Sequence, residues 1–436
     1  MKIVIPSERE TTALRAKGRS PLVIIFITVF IDLVGFGIVI PVLPLYAEHY
    51  GASETTIGIL LGIFSAMQFI FAPILGKLSD RIGRRPVLLL SLIGTSIGFF
   101  IMGLAPSLPA GFSILGLSPV LFWLFLGRII DGVSGGNIST AMAYIADVTP
   151  RDQRSRGMGL IGAAFGLGFI FGPAIGGLLS QFSLSTPLYF AAGLAAANVV
   201  ALYLLLPESL SAENRDEARK RGSLVSVFQE SGSWQLTAVM ATYFFATISF
   251  ALLTAIYALF TSKNEHLRFD ATHNGYVFAY LGLLGALIQG GLLGRLVKVF
   301  SDKTLVITGI ILMAASMFAL PFSDSVMMLL VASTGIAVGN SLVTPTLNGM
   351  ASKSVNASWQ GRVLGVLQSA ASLARVIGPV MGGYLLGRDA TRDIHYGKTP
   401  FWTGGAIMLL ALGIAFSLQS GAVSAEEKSV GLEGQG

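Results

Sequence analysis

Twelve apolar segments, each roughly 17 to 25 residues long, follow one another between Leu22 and Gln419, and that is the length a helix needs to cross about 30 Å of hydrocarbon. In lipid every backbone N–H and C=O must find its partner within the spanning structure, so runs of this length predict transmembrane helices. The balance of residues agrees, with 53% hydrophobic, 12% charged and a mean hydropathy of +0.73, where a soluble domain carries about 25% charge. No cysteine is present, which closes disulfide and thiolate-metal chemistry. The net charge of +6 argues for nucleic acid only where basic side chains share one soluble face. Here they stand in short loops between apolar runs, so the expected partner is the lipid bilayer and not nucleic acid.

Those loops also orient the chain. Residues 1–21 form a tail carrying Lys2, Arg9, Arg15, Lys17 and Arg19, ahead of a run too long for the core of a cleaved signal peptide. Of the 29 Lys and Arg, 22 fall on the side of that tail and 5 on the other, which by the positive-inside rule puts both termini in the cytoplasm. The polar stretch 207–233 divides the spans six and six. The expected organisation is a cytoplasmic tail 1–21, an N-terminal half 22–206, a cytoplasmic linker 207–233, a C-terminal half 234–420 and a cytoplasmic tail 421–436. The halves echo each other. Arg156-Gly157-Met158-Gly159 and Gly172-Pro173-Ala174-Ile175-Gly176-Gly177 recur 206 residues later as Arg362-Val363-Leu364-Gly365 and Gly378-Pro379-Val380-Met381-Gly382-Gly383, while Gly132 and Gly136-Asn137 recur 203 residues on as Gly335 and Gly339-Asn340. An internal duplication in a membrane protein points to a transporter whose site lies between the repeats.

Gly76-Lys77-Leu78-Ser79-Asp80-Arg81-Ile82-Gly83-Arg84-Arg85 lies between the second and third runs, Gly127-Arg128-Ile129-Ile130-Asp131-Gly132 in the fourth, and Gly168 to Gly177 in the fifth. With Asp32, Gly35, Gly37, Pro41 and Pro44 in the first run, the chain resembles the major facilitator superfamily. Within it the likeness is to the proton-coupled drug exporters that include the tetracycline/proton antiporters, and it extends over all twelve runs. The resemblance implies an all-α fold of twelve transmembrane helices in two pseudo-symmetric halves, in a bacterial inner membrane. Tetracycline exporters carry acids in the third and ninth helices. Here the third reads Gly94-Thr95-Ser96-Ile97-Gly98-Phe99 and the ninth holds none, so metal-chelated tetracycline is not the expected substrate.

Charged groups inside hydrocarbon cost about 2.5 to 3.5 kcal/mol each on insertion scales and are functional candidates by default. Four qualify: Asp32, Arg128, Asp131 and Arg375. At 1.5 Å per residue, Asp32 lies roughly 15 Å and Arg128 about 16 Å from the cytoplasmic side, with Arg375 roughly 18 Å deep. An Asp32–Arg128 contact that changes between inward and outward states would change proton affinity with conformation, and the three residues Asp32, Arg128 and Asp131 are assigned to proton coupling. Arg128 and Asp131, three apart on one helix, could instead neutralise each other to permit insertion. The substrate cavity is assigned to Phe36, Gln68, Asn137, Gln289, Asn340, Gln368 and Arg375, although interhelical hydrogen bonds or packing are ordinary roles for such polar side chains.

A cytoplasmic gate is assigned to Gly76, Asp80, Arg81, Gly83, Arg84, Arg85 and Asp147. By resemblance Asp80 faces the N-terminus of the eleventh helix while the arginines reach acids such as Asp147. The second-half counterpart, Gly294-Arg295-Leu296 to Lys303, is degenerate. Gly168, Gly172, Pro173, Gly176 and Gly177, with Gly378, Pro379, Gly382 and Gly383, are small residues suited to close packing of the fifth and eleventh helices. Gly132-Val133-Ser134-Gly135-Gly136 fits a nucleophile-elbow pattern but lies inside a helix without a histidine base, so no enzyme is expected. His49, His266, His273 and His395 have no paired spacing for a metal, and the glycosylation patterns at Asn137 and Asn356 fall in membrane and cytoplasm. No phosphate-binding loop appears, so neither ATP nor any cofactor is expected. The overall expectation is a monomeric proton-coupled antiporter exporting a small amphipathic or apolar organic molecule by alternating access. An uptake symporter or uniporter is the nearest alternative, and a non-transporting receptor or scaffold the alternative of another class.

Overall fold

Serines open four of the spans. The hydroxyls of Ser53, Ser118, Ser301 and Ser325 accept from the backbone N–H three residues on, at 3.2, 3.5, 3.2 and 3.3 Å, occupying one of the donors that a helix start leaves unpaired. Pro119 follows Ser118 at the first helical position, where its missing N–H costs nothing. In the computed structural model, which describes residues 21–109, 116–149, 154–210, 234–355, 360–391 and 395–419, these starts belong to a succession of helices. They are α1 Pro21–His49, α2 Glu54–Ile82, α3 Arg84–Leu104, α4 Pro119–Val133, α5 Asn137–Val148, α6 Arg154–Leu179 and α7 Thr186–Leu205, then α8 Trp234–Lys263, α9 Ala271–Leu287, α10 Leu293–Val299, α11 Asp302–Ala319, α12 Val326–Lys353, α13 Gln360–Thr391 and α14 Lys398–Ala415. The expected tails and most of the linker lie outside the described residues.

Among the described residues fourteen helices make twelve spans, because two spans are interrupted. The fourth is α4 and α5 with Ser134–Gly136 between them, and the eighth is α9 and α10 joined by the π-helical turn Ile288–Leu292. Among the described residues ten helical stretches are each long and apolar enough to cross a membrane. The divided fourth span and α14, which begins at Lys398, complete the twelve. Large apolar side chains such as Leu90, Phe100, Leu204, Met327 and Val331 are exposed, as expected of faces turned to lipid chains.

The chain forms two compact units. The first is Met1–Arg221 with Thr261–Lys263 and Arg268–Leu283, the second Gly222–Phe260, Asn264–Leu267 and Leu284–Gly436. In the first, α6 lies against α1: a Cβ added at Gly37 meets the Gly168 carbonyl at 2.8 Å and the Pro173 ring at 2.9 Å, and one at Gly172 meets the Gly37 Cα at 2.6 Å. Gly176 sits on Ile38, and Gly177 on Gly275 of α9, whose Thr272 hydroxyl donates to the Gly177 carbonyl at 2.9 Å. In the second, Gly378 and Gly382 of α13 lie on Ile248, Leu252 and Ile256 of α8. Of the glycines singled out in the fifth and eleventh spans, Gly168, Gly172, Gly176, Gly177, Gly378 and Gly382 have a close partner within their own unit. Backbone approach this close needs hydrogen in place of a methyl group, which is why these positions hold glycine.

The duplication is visible inside the units. In the first, α3 and α4 touch through Gly98 and Gly127, each against the other's carbonyl at 2.7 Å; in the second, α11 and α12 do so through Gly309 and Gly339, at 2.7 and 2.5 Å. Both α3 and α11 end in a 3-10 turn containing proline, Ala105–Ser107 and Leu320–Phe322.

Candidate functional site

The fourth span breaks where Ser134, Gly135 and Gly136 stand in a row, because two adjacent glycines cost about 2 kcal/mol of helix propensity relative to alanine. The break frees the Gly135 carbonyl, and Gln68 of α2 donates its side-chain amide to it at 3.1 Å. Asn137 then starts α5 and is buried. Its side chain stands beside the Asp32 carboxylate of α1, which brings that acid to the first residue of a twelve-residue helix. Asp32 is half-buried.

One turn before the break, the buried side chains Arg128 and Asp131 pair at 3.1 Å. The guanidinium lies 4.3 Å from the centroid of the Phe64 ring, and its Nε is buried without a hydrogen-bond partner. Thr95 of α3 stands beside Asp131, held close by Gly98, whose added Cβ would lie 3.1 Å from that of Asp131. Among the described residues Asp32 forms no ion pair with Arg128; the partner of Arg128 is Asp131, and Asp131 is the acid whose charge reaches Asp32. Gly94 and Gly98 of the third span thus serve the approach of the fourth, while Gly103 makes room for Tyr189 of α7.

The remaining cavity candidates separate. Phe36 is half-buried and packs on Phe64 and Phe169 at ring distances of 5.8 and 6.1 Å, so Phe36, Gln68 and Asn137 surround the charged cluster of the first unit. In the second unit Gln289 is exposed on the π-helical turn, Asn340 accepts from the Thr344 hydroxyl at 3.0 Å, and Gln368 and Arg375 are half-buried on α13. The Arg375 guanidinium donates to Ser372 at 3.2 Å.

The turn after the second span is an ordered ionic knot. Arg84 is buried and contacts Asp80 at 2.6 Å, Asp147 at 3.0 Å and the Ser79 hydroxyl at 2.7 Å. The acid facing a helix N-terminus here is Glu208: its carboxylate accepts from the Arg84 and Arg85 N–H groups at 2.8 and 3.1 Å, at the start of α3. Gly83 takes φ +112°, and an added Cβ there would fall 2.4 Å from that carboxylate, so both backbone angle and space require glycine. Arg85 donates to the Tyr203 carbonyl and lies over the Tyr203 ring. Arg81 is exposed, and Gly76 has open space around it. Asp80 and Asp147 both belong to this knot, and Asp80 pairs with its own turn.

Two groups escaped the sequence reading. Glu208 immediately follows an apolar run, and only the fold brings it to α3. Lys263, at the end of α8, reaches Glu48 and Glu54 at 2.9 and 2.7 Å; the one available signal was that acids flank the first outer loop.

The family model of the Major Facilitator Superfamily matches residues 25–296 and 242–434. The chain is 35% identical over 374 residues to the tetracycline resistance protein, class C, of Escherichia coli, covering 84% of this chain and 89% of that one. It is 29% identical over 401 residues to multidrug resistance protein 2 of Bacillus subtilis (strain 168), covering 90% and 93%. The crystal structure of the human organic anion transporter MFSD10 has the same fold, with a TM-score of 0.66 and 24% identity over 90% of this chain and 98% of that one. Twelve spans in two repeated halves, with the charged cluster in the fourth and the ionic knot after the second, agree with that match, and the chain belongs to the Major Facilitator Superfamily.

Proposed function

We propose that this integral membrane protein is a proton-coupled antiporter that exports small amphipathic or apolar organic compounds by alternating access. The observation that carries the reading is the buried Arg128–Asp131 pair with Asp32 and Asn137 beside it. Two carboxylates and one guanidinium sum to −1 with both acids ionised, and uptake of one proton brings the cluster to zero, the state hydrocarbon tolerates best. A conformational change that alters the distance of Asp32 from Asn137 and Asp131 then takes up or releases that proton. The curated relatives are named for tetracycline and multidrug resistance, which supports export of organic compounds as the direction and the class.

The same reading places the protein in a bacterial inner membrane with both termini in the cytoplasm, working as a monomer on the proton gradient, without ATP, cofactor or enzymatic step. In everted membrane vesicles acidified inside, adding a transported compound should release lumenal protons. Asp32→Asn should abolish that release at undiminished protein level. Proton release that survives the substitution, or none with the unaltered chain across a panel of amphipathic compounds, would sink the reading.

A further inference from the structure

The second unit carries one charge deep in its spans, and it is balanced differently from those of the first. Arg375 sits near the middle of α13, about 22 Å along the axis from Gln360 at 1.5 Å per residue. The acids of residues 234–419 are Glu265, Asp270, Asp302, Asp324, Asp389 and Asp393; the first five lie in connections or end turns, and Asp393 lies outside the described residues. Asp389, the acid nearest to Arg375 on its own helix, lies 14 residues further, about 21 Å away. The polar groups the structure relates to the guanidinium are uncharged. Ser372 of α13 accepts a hydrogen bond at 3.2 Å, the buried Tyr243 of α8 lies within range of its charge, and Asn348 of α12 lies beside Tyr243. A guanidinium has five N–H donors, and Ser372 uses one. Among the described residues no carboxylate pairs with Arg375, and a cation held so leaves a place for an anionic group that arrives with a ligand.

We infer that Arg375, with Tyr243 in reach of its charge and Asn348 beside that phenol, is the recognition point for an anionic head, a carboxylate or sulfonate on an apolar body, of the transported compound. The inference rests on the transport reading and narrows its substrate class. A planar guanidinium matches such heads with two parallel hydrogen bonds, while the phenol and the amide supply donors that a neutral compound leaves unused.

The test uses the full chain in phosphatidylcholine vesicles, whose headgroups carry no net charge that could take the ligand's place, and three matched fluorescent probes: 1-pyrenebutyrate, its methyl ester and 1-pyrenebutylamine. The acid should bind roughly tenfold or more tightly than the ester, the ratio that a charge-assisted hydrogen bond confers. Arg375→Gln should bring the acid-to-ester ratio down to about one, and Arg375→Lys should keep part of the preference. Equal binding of acid and ester by the unaltered chain, preference for the amine, or a parallel loss of acid and ester binding in Arg375→Gln would overturn the inference, the last marking a purely structural arginine. Should Arg375→Gln fail to fold, the acid-to-ester ratio of the unaltered chain and of Arg375→Lys decides. Movement driven by a pH gradient, followed in the same vesicles, separates the two readings. Gradient-driven transport of ester or amine without acid preference removes the anion site and leaves the exporter, whereas acid preference without gradient-driven movement of any probe removes the exporter and leaves the site.

Discussion

Gly132-Val133-Ser134-Gly135-Gly136-Asn137 in the first half and Gly335-Ile336-Ala337-Val338-Gly339-Asn340 in the second are copies of one pattern, yet the first is a broken helix and the second runs unbroken through α12. Ser134 and Gly135 stand where the second copy has Ala337 and Val338. Glycine and serine favour the helix less than alanine does, by up to about 1 kcal/mol per residue, and in the first half Gln68 is placed to bind the carbonyl that the break releases. Close glycine packing occurs in both halves, Gly98 with Gly127 and Gly309 with Gly339, although not at matching positions of the repeat, where Gly339 answers to Gly136. The charges are not shared: the first half holds a paired guanidinium with two acids, the second a guanidinium at a similar depth without one. Both halves keep close glycine packing, while their chemistry diverges.

The largest expected contrast lies in those charges. Asp131→Ala strands the buried Arg128 and should lower stability by about 3 to 5 kcal/mol, whereas Arg375→Ala, which strands no acid, should cost about 1 kcal/mol or less; thermal unfolding in detergent compares the two, and equal losses would break the distinction. The turns give the next contrast. Arg84→Ala should cost about 3 kcal/mol by leaving Asp80 and Asp147 without their buried cation, while Arg295→Ala, in the degenerate and exposed counterpart, should stay within about 0.5 kcal/mol. The close glycine packing common to both halves predicts similarity in its turn: Gly98→Ala and Gly339→Ala should each cost about 1 to 3 kcal/mol by overpacking. Writing the second copy into the first, with Ser134→Ala and Gly135→Val together, should favour a continuous fourth helix by about 1 kcal/mol of propensity and impair pH-driven transport in folded protein. Unchanged transport would show that the break is incidental.

The smallest effect concerns the start of α9, at the segment that joins the first unit. Asp270 accepts from the His273 N–H at 2.8 Å and from its ring at 2.7 Å; against the opposing influence of partial burial, these hydrogen bonds hold its carboxyl below the ordinary carboxylate range. A lowered folded-state value means that the cap contributes fully above about pH 4, the unfolded value, and loses its contribution as pH falls through the depressed one. Asp270→Ala should therefore cost a few tenths to about 1 kcal/mol at pH 7 and progressively less in acid, as thermal unfolding across pH would register.

The number of spans, their division into halves and the four charged residues within them were legible in the linear chain, because the thickness of hydrocarbon and the cost of charge act on each segment separately. The ionic knot was half legible. Arg84 and Asp147 announce themselves as charges near span ends, but Glu208 reaches the start of α3 only because α7 packs beside it. The partner of Arg128 was open between Asp131 on its own helix and Asp32 on another, and in the structure it pairs with Asp131 at 3.1 Å. Asn137 was chosen for its polarity, and what sets its role is the break that makes it the first residue of α5, beside Asp32. Burial in lipid is a property of composition and length, and so the sequence alone determined it. Which charge meets which, and where a helix breaks, depends on differences of about 1 kcal/mol and on carbonyls and glycines brought together from distant parts of the chain, and that the tertiary structure alone decided.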